Sequence, residues 1–201
     1  MRDLIIALLA ALGVLAQIAV VLMAVGAVIW LVAPTSRDRL REARDTIRAG
    51  ALWMAWGAAT VATLGSLWFS ESAGFVPCRL CWFQRIAMYP LVVVLLVAAI
   101  TRDRRGFWYG MPLAVIGALV SIYHIYIEVN PSAESAGCKA SGVSCSARWI
   151  DEFGYVTIPV LALSAFALIG ALLLFHRSRS GDDRQMPAED SSRSRTPSSA
   201  R

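Results

Sequence analysis

The feature that most constrains this chain is a series of long apolar runs with few or no charged residues. A helix of about 20 residues crosses the hydrocarbon core of a bilayer, and the first run is longer than that. With 57% hydrophobic and 16% charged residues, the chain is too apolar for an ordinary soluble domain. We therefore predict an all-α integral membrane helical bundle with five spans: Leu4 to Ala33, Ala51 to Ser70, Cys78 to Ile100 with a kink at Pro90, Gly106 to Ile127, and Phe153 to Phe175.

The first run follows a single basic residue, Arg2, as the core of a secretory signal does. It exceeds the roughly 7 to 15 apolar residues of such a core, and no small-x-small cleavage site closes it. We interpret it as a retained span, with a cleaved signal as the alternative. The chain then divides into residues 1–50 with the first span and a basic helical connector, residues 51–175 with four spans, and residues 176–201 as a disordered Arg/Ser-rich tail.

The positive charges indicate how the spans are oriented. Fourteen of the nineteen Lys and Arg residues lie in the segments 34–50, 101–105 and 176–201. Because cytoplasmic segments near span ends accumulate Lys and Arg, we place these three segments in the cytoplasm. The N-terminus and the loops 71–79 and 128–152 then face outward, on the side where disulfides persist. The net charge of +5 fits this topology better than nucleic-acid binding, since the basic residues do not interleave with aromatics on a polar face.

A C-x-x-C pair, Cys78 and Cys81, stands at the start of the third span. The spacing places both sulfurs on one helical face, close enough for a disulfide. The positive end of the helix dipole favours thiolates there. Arg85 follows one turn deeper on the face of Cys81, where a guanidinium is able to hydrogen-bond an electronegative ligand such as a quinone carbonyl.

A second pair, Cys138 and Cys145, lies in the outer loop between the last two spans. Taken alone, the C-x-x-C pair fits redox chemistry, half of a zinc site or two buried apolar cysteines. The four cysteines have the right number for a Cys₄ zinc site. However, six residues separate Cys138 from Cys145, more than the usual spacing of about two to four, and an outer location tends to oxidise thiols. We therefore predict redox chemistry and no metal.

The residues around the C-x-x-C pair resemble a family signature. The pattern C-x-L-C-W-x-Q-R of DsbB/BdbC-type disulfide-formation proteins is matched by the run Pro77-Cys78-Arg79-Leu80-Cys81-Trp82-Phe83-Gln84-Arg85, followed by Ile86-Ala87-Met88-Tyr89-Pro90. The loop pair, with Gly142-Val143 between its cysteines, and the run 155–159 extend the resemblance over about residues 51–175. It implies a DsbB-like four-helix core, to which this chain adds one N-terminal transmembrane helix. The loop pair is closer together than in the DsbB type and looks more like the BdbC type.

The resemblance also implies an activity. It is that of a protein disulfide oxidoreductase that reoxidises a DsbA-like thioredoxin-fold partner and reduces a membrane quinone, either ubiquinone or menaquinone. Cys138 would be attacked by the partner's thiolate, and Cys145 would exchange with Cys78. Cys81 would face the quinone, with Arg85 as its polar contact. All four cysteines are thus candidate catalytic residues on the extracytoplasmic face of the inner (cytoplasmic) membrane. The loop pair, on a polar segment, is the one that a protein partner is expected to reach.

Further polar residues lie near the predicted outer ends of the spans. His124 is a candidate proton or quinone contact, or an interfacial residue bonded to headgroups or a neighbouring helix, whereas Glu128 is expected to be solvated. Gln84 lies either at the quinone or in a helix–helix hydrogen bond. The segment Arg148 to Phe153 forms either an amphipathic turn over the C-x-x-C end or an ordinary aromatic belt.

Two other functions compete with this interpretation. A quinone-linked reductase similar to vitamin K epoxide reductase shares a bundle with C-x-x-C and loop cysteines, although the residues after Cys81 argue against it. The non-enzymatic alternative is a membrane assembly or zinc-binding module with structural cysteines. Stoichiometric zinc without a disulfide would favour that module.

Overall fold

The computed structural model describes residues 1–32, 37–103, 105–139 and 142–177, with the backbone alone for residues 37–45 and 139. The predicted tail, residues 176–201, lies outside these residues except for His176 and Arg177. Those two residues form the last turn of the final helix, so the described chain is helical where the tail was predicted to begin.

Within this part of the chain there are six α-helices and no extended strand: α1 (Arg2–Val32), α2 (Arg37–Glu71), α3 (Arg79–Ile100), α4 (Gly106–Val129), α5 (Ala136–Lys139) and α6 (Ile158–Arg177). All except α5 are long and apolar enough to cross a membrane, and in α2 this holds for Thr46–Glu71. The prediction of an all-α bundle with five spans is confirmed. The basic connector is helical from Arg37 onward and continuous with the second span.

Four of the helices form a ring, in which α2 contacts α3, α3 contacts α4, α4 contacts α6, and α6 contacts α2. Its centre contains the fully buried side chains Leu91, Leu95, Phe166, Ile169 and Leu173. Because lipid is as apolar as these side chains, close packing holds such helices together more than exclusion from water does. The fifth long helix, α1, lies outside the ring against α6 and, to a smaller extent, α2.

The two ends of the bundle differ in chemistry. The cysteine end combines the first turn of α3, the last turns of α4 and the segment that precedes α6. At the opposite end lies the turn between α3 and α4, where the guanidinium of Arg177 is 4.7 Å from the ring centroid of Phe107. There, too, Nε2 of His176 is 3.3 Å from the backbone oxygen of Asp103. All four cysteines therefore lie at one end, and the basic turn lies at the other.

The last helix begins five residues later than the predicted span. Residues Phe153 and Gly154 have positive φ angles of 55° and 76°, which a helix does not accommodate. Their neighbours Glu152 and Val156 exchange two backbone hydrogen bonds across this turn, and α6 starts at Ile158. The turn brings the chain back over the cysteine end before it enters the bundle.

Candidate redox site

The C-x-x-C pair is positioned by the start of α3. Cys78 is the N-cap residue, with an extended backbone (φ −71°, ψ 173°), and its Sγ accepts a 3.4 Å hydrogen bond from the backbone N–H of Cys81. The two Sγ atoms are 3.0 Å apart and not bonded, Cys78 being buried and Cys81 half-buried. The first turn of the helix thus holds two thiols side by side, close enough to form a disulfide after a small movement.

The loop pair is oxidised. Cys138 and Cys145 form a disulfide with a Cα–Cα distance of 5.7 Å. Both residues belong to one buried cluster with Cys78, Leu80 and Ile127, so the two cysteine pairs pack against each other. The expectation that a partner reaches the loop pair directly is wrong for this position of the loop, because Cys138 is only 2% exposed and Cys145 0%.

The carboxylate of Glu134 holds the disulfide loop in place. It accepts hydrogen bonds from the backbone N–H of Cys145 and from Oγ of Ser144, the latter at 2.9 Å. On the other side of the disulfide, the guanidinium of Arg79 lies directly against Gly137, where a side chain would collide with it. Glu134 therefore links the beginning of the loop to the segment around Cys145, and Gly137 packs against Arg79 at the start of α3.

His124, on α4, connects the two cysteine pairs. Its Nε2 is 3.0 Å from the backbone oxygen of Cys145 and 3.6 Å from Sγ of Cys78. Because a carbonyl only accepts, Nε2 carries the proton in this hydrogen bond. The ring is buried, so the interfacial role in contact with headgroups does not apply, whereas the hydrogen bond to another element does.

Glu128, one turn further along α4, is buried at 8% exposure, and the expectation that it is solvated is wrong. Its carboxylate accepts a 2.8 Å hydrogen bond from Oγ1 of Thr157. The cause is the chain turn before α6, which covers the end of α4. Sequence spacing carries no sign of this contact, because Glu128 and Thr157 are 29 residues apart.

The environment of Cys78 favours its thiolate. The hydrogen bond from the Cys81 thiol is the main cause that holds the pKa of Cys78 well below its ordinary value of 9.0. Burial raises that pKa, whereas the hydrogen bond and electrostatic attraction of His124, together with the backbone N–H of Cys81, lower it further. Cys78 is therefore suited to act as the thiolate of the pair in thiol–disulfide exchange.

A cavity of about 170 Å³ opens beside the pair, between α1, α2, α3 and α6. Its lining is mainly apolar, and it includes Cys81, Gln84 and Arg85 as a polar cluster. Arg85 donates from Nε to Oγ of Ser66 (3.0 Å) and from Nη2 to the Ser66 carbonyl (2.8 Å). Its third nitrogen, Nη1, makes no hydrogen bond within the described residues. An apolar cavity with a few convergent polar groups is typical of a small-molecule site.

Of the two roles predicted for Gln84, the structure shows the helix–helix hydrogen bond. Its amide nitrogen donates a 3.1 Å hydrogen bond to Oγ of Ser121 on α4, although Gln84 also lines the cavity. The segment Arg148 to Phe153 forms no helix; Trp149 stacks on Phe75 at 5.2 Å and lines the same cavity. This segment covers the cysteine end by aromatic stacking.

The four thiols do not form a Cys₄ zinc site here, because Cys138 and Cys145 are bonded to each other. Cys78, Cys81 and His124 place three potential ligand atoms within 4.8 Å of one another. The structure also assigns contacts at the site to Ser66, Glu134 and Thr157, which the sequence analysis did not single out. Each is a common polar residue whose partner lies 10 or more positions away in the chain, so no local pattern identifies it.

Most of this chain is similar to known proteins. The family described as "Disulfide bond formation protein DsbB" matches residues 48–176, which include all four cysteines and Arg85. The probable disulfide formation protein C 1 of Bacillus anthracis is 49% identical over 126 residues, or 63% of this chain and 91% of that protein. Disulfide bond formation protein C of Bacillus subtilis (strain 168) is 48% identical over 118 residues, or 59% and 86%.

A relative outside the bacilli, the probable disulfide formation protein of Metapseudomonas resinovorans, is 41% identical over 130 residues, or 64% of this chain and 90% of that protein. No solved structure matches significantly. The family match and the five apolar helices support the role of a multi-pass membrane disulfide oxidoreductase. The chain belongs to the DsbB family of disulfide bond formation proteins.

Proposed function

We propose that this protein oxidises a DsbA-like thioredoxin-fold partner on the outer side of the cytoplasmic membrane and passes the electrons to a membrane quinone, ubiquinone or menaquinone. The observation that carries the proposal is the position of Cys81. It contacts Cys78 on one side and lines the apolar cavity with Arg85 on the other. Residues 51–175 would carry this activity, with the N-terminal helix and the basic tail as additions.

The first exchange takes place at the loop disulfide. A thiolate of the partner attacks Cys138, the Cys138–Cys145 bond breaks, and Cys145 leaves as a thiolate. The partner's second thiol then displaces Cys138, so that the partner gains a disulfide and the loop pair holds two thiols. Because both loop sulfurs are buried, this exchange requires the loop to move, and the hydrogen bonds to Glu134 are among the contacts that must open.

The second exchange returns the loop to its oxidised state. The Cys145 thiolate attacks Cys78 of a Cys78–Cys81 disulfide, and Cys81 leaves as a thiolate. Cys138 then attacks Cys145, the Cys145–Cys78 bond breaks, and Cys78 leaves as a thiolate. The products are an oxidised loop pair and two thiols at the start of α3, which is the arrangement in the structure. The packing of Cys78 against both loop cysteines supports this route.

The last step restores the C-x-x-C disulfide. A bound quinone supplies an acceptor for two electrons and two protons. Cys78 and Cys81 lose two electrons when their Sγ atoms, now 3.0 Å apart, bond to each other. One proton comes from the Cys81 thiol, and because Cys78 is a thiolate the second comes from water at the outer membrane surface. The residues fit such a ligand: the cavity is mainly apolar, and Arg85, which lines it, has N–H groups on Nη1 that no described residue accepts. The contacts of Arg85 with Ser66 hold the guanidinium in position.

An assay with purified protein tests the proposal. A reduced thioredoxin-fold partner should become oxidised only when a quinone is supplied, with one quinone consumed per disulfide formed. Cys81→Ser should abolish quinone reduction, and turnover equal to that of the unaltered protein in this variant would contradict the relay. Stoichiometric zinc bound to reduced protein that never forms a disulfide would support the structural-cysteine alternative instead.

A further inference from the structure

The N-terminal helix α1 lies outside the family match, which begins at residue 48, yet it is seated on the bundle in a defined way. Ile6, Ala10 and Gly13 are its buried residues, and their spacing places them on one helical face. At Gly13 a side chain would collide with Leu161 of α6, so the glycine allows the two helices to approach closely. This close contact fixes where α1 meets α6.

A polar contact within the apolar helices fixes the same register. The side-chain amide of Gln17 donates a 2.9 Å hydrogen bond to Oγ of Ser164 on α6 and accepts one of 3.0 Å from the hydroxyl of Tyr155. Polar groups in a membrane interior are costly unless paired, and hydrogen bonds between helices are a recurrent means of pairing them. Together with Gly13, this contact indicates that α1 has a fixed position beside α6.

In that position α1 completes the cavity next to the C-x-x-C pair. Leu9, Leu12 and Gly13 all line it, together with Cys81 and Arg85 of α3. Because α1 packs outside the ring of the other four long helices, it supplies the side of the cavity that the ring does not close. Neighbouring positions on α1 do not line the cavity: Leu8 is 55% exposed and Leu15 60% exposed, whereas Leu12, although 48% exposed, is part of the lining.

We propose that α1 is a wall of the quinone site and that Leu9 and Leu12 contact the bound quinone and contribute to its affinity. This inference rests on the proposed quinone reduction and assigns part of that site to a helix outside the family match. The chemical class of the ligand is an apolar ring with carbonyl oxygens. Apolar contacts from Leu9 and Leu12 suit its ring and substituents, and the Arg85 guanidinium suits a carbonyl.

Matched leucine substitutions test the inference by direct binding. Affinity for a short-chain ubiquinone and a short-chain menaquinone is measured with full-length purified protein through quenching of tryptophan fluorescence, since Trp149 lines the cavity. Leu9→Ala and Leu12→Ala should weaken binding by about tenfold, the usual effect of losing an apolar pocket contact. Leu8→Ala and Leu15→Ala should stay within about twofold of the unaltered protein. Equal affinities in all four variants would overturn the inference.

A second measurement needs no substitution and so does not depend on how a variant folds. A photoreactive azidobenzoquinone should label α1 between Leu9 and Gly13, and excess short-chain ubiquinone or menaquinone should suppress that label. Labelling confined to α2, α3 and α6 would overturn the role of α1 while leaving quinone reduction intact. If the unaltered protein binds neither quinone, the proposed function and the inference fail together.

Discussion

The imidazole of His124 lies 3.6 Å from the sulfur of Cys78, measured from Nε2 to Sγ. The same nitrogen is 3.0 Å from the backbone oxygen of Cys145, so one ring contacts both cysteine pairs. A proton donor at this point stabilises a thiolate at Cys78 and holds the oxidised loop beside it. His124 is therefore well placed to support exchange between the two pairs.

The lowered pKa of Cys78 predicts a thiolate at neutral pH. In a thiol with the ordinary pKa of 9.0, the thiolate fraction rises about tenfold with each unit of pH increase up to that value. Cys78, in contrast, should already be ionised from pH 6 to 8. Its thiolate should be lost only as the pH falls through the lowered pKa. Absorbance at 240 nm measures this in Cys81→Ser, which leaves one free thiol and keeps a hydroxyl donor near Cys78. A rise in absorbance centred near pH 9 would contradict the assignment.

His124→Asn provides the matched variant for that titration. Asn keeps a side-chain donor but cannot carry the charge of an imidazolium, so the pKa of Cys78 should rise towards its ordinary value. Exchange between the two pairs at neutral pH should slow by about tenfold, or roughly 1.4 kcal/mol in the barrier. An unchanged titration in the Cys81→Ser background would show that the donor at position 81 and the helix terminus lower the pKa of Cys78 without His124.

Arg85→Met should separate quinone use from thiol exchange. Loss of a hydrogen bond from a charged donor costs about 1.5 to 3 kcal/mol, so the KM for quinone should rise about tenfold or more. Oxidation of the partner in a single turnover should not change, because neither loop cysteine lines this cavity. Arg79→Met is the control, since Arg79 does not line the cavity and should leave the quinone KM unaffected. Equal KM values in both variants would remove Arg85 from the site.

Glu134→Ala should loosen the disulfide loop. Without the carboxylate, the N–H of Cys145 and the hydroxyl of Ser144 lose their acceptor, and the buried disulfide should become easier to reach. We expect reduction of Cys138–Cys145 by dithiothreitol to accelerate about fivefold, which corresponds to about 1 kcal/mol for a lost hydrogen bond. Glu134→Gln keeps an acceptor oxygen and should remain close to the unaltered protein. Identical rates in the Ala and Gln variants would exclude Glu134 as a restraint on the loop.

Gly117→Ala tests the packing of the four-helix ring. A side chain at this position would collide with the ring of Phe166, so the variant should be destabilised by about 1 to 3 kcal/mol. Gly57→Ala is the matched control, because nothing lies within 4 Å of its added carbon, and alanine favours the helix by up to about 1 kcal/mol. Apparent melting temperatures in detergent should therefore move in opposite directions. A shared upward shift would show that Phe166 moves aside without cost.

The sequence alone predicts the five spans, because the length and apolarity of each run decide whether it can cross a bilayer. The common end of both cysteine pairs follows from the number of spans and from the charges between them. The sequence does not predict the chain turn before α6. That turn depends on the positive φ angles at Phe153 and Gly154 and on contacts across the bundle, and it is what buries Glu128 against Thr157.

The sequence likewise predicts only some of the residues of the candidate site. The residues of the C-x-x-C motif and Arg85 follow a local spacing, so the sequence identifies them. Ser66 and the cavity-lining leucines of α1 act through contacts with distant segments, and Glu134 acts through hydrogen bonds to residues 10 and 11 positions later in its own loop. Nothing in their own neighbourhood distinguishes them. The burial of the loop disulfide is likewise not predicted, since a polar loop composition does not reveal that the loop folds back onto α3 and α4.

The most direct test of the relay is the redox state of each cysteine in the membrane-embedded protein. Membranes are incubated with a reduced partner, with and without quinone, the thiols are alkylated, and peptides are identified by mass spectrometry. Without quinone, alkylation should accumulate at Cys78, Cys81, Cys138 and Cys145; with quinone, all four should return to disulfides. In Cys81→Ser, added quinone should no longer reoxidise the loop pair. Cysteines that stay in one state under both conditions, or a loop pair that quinone reoxidises without Cys81, would contradict the relay.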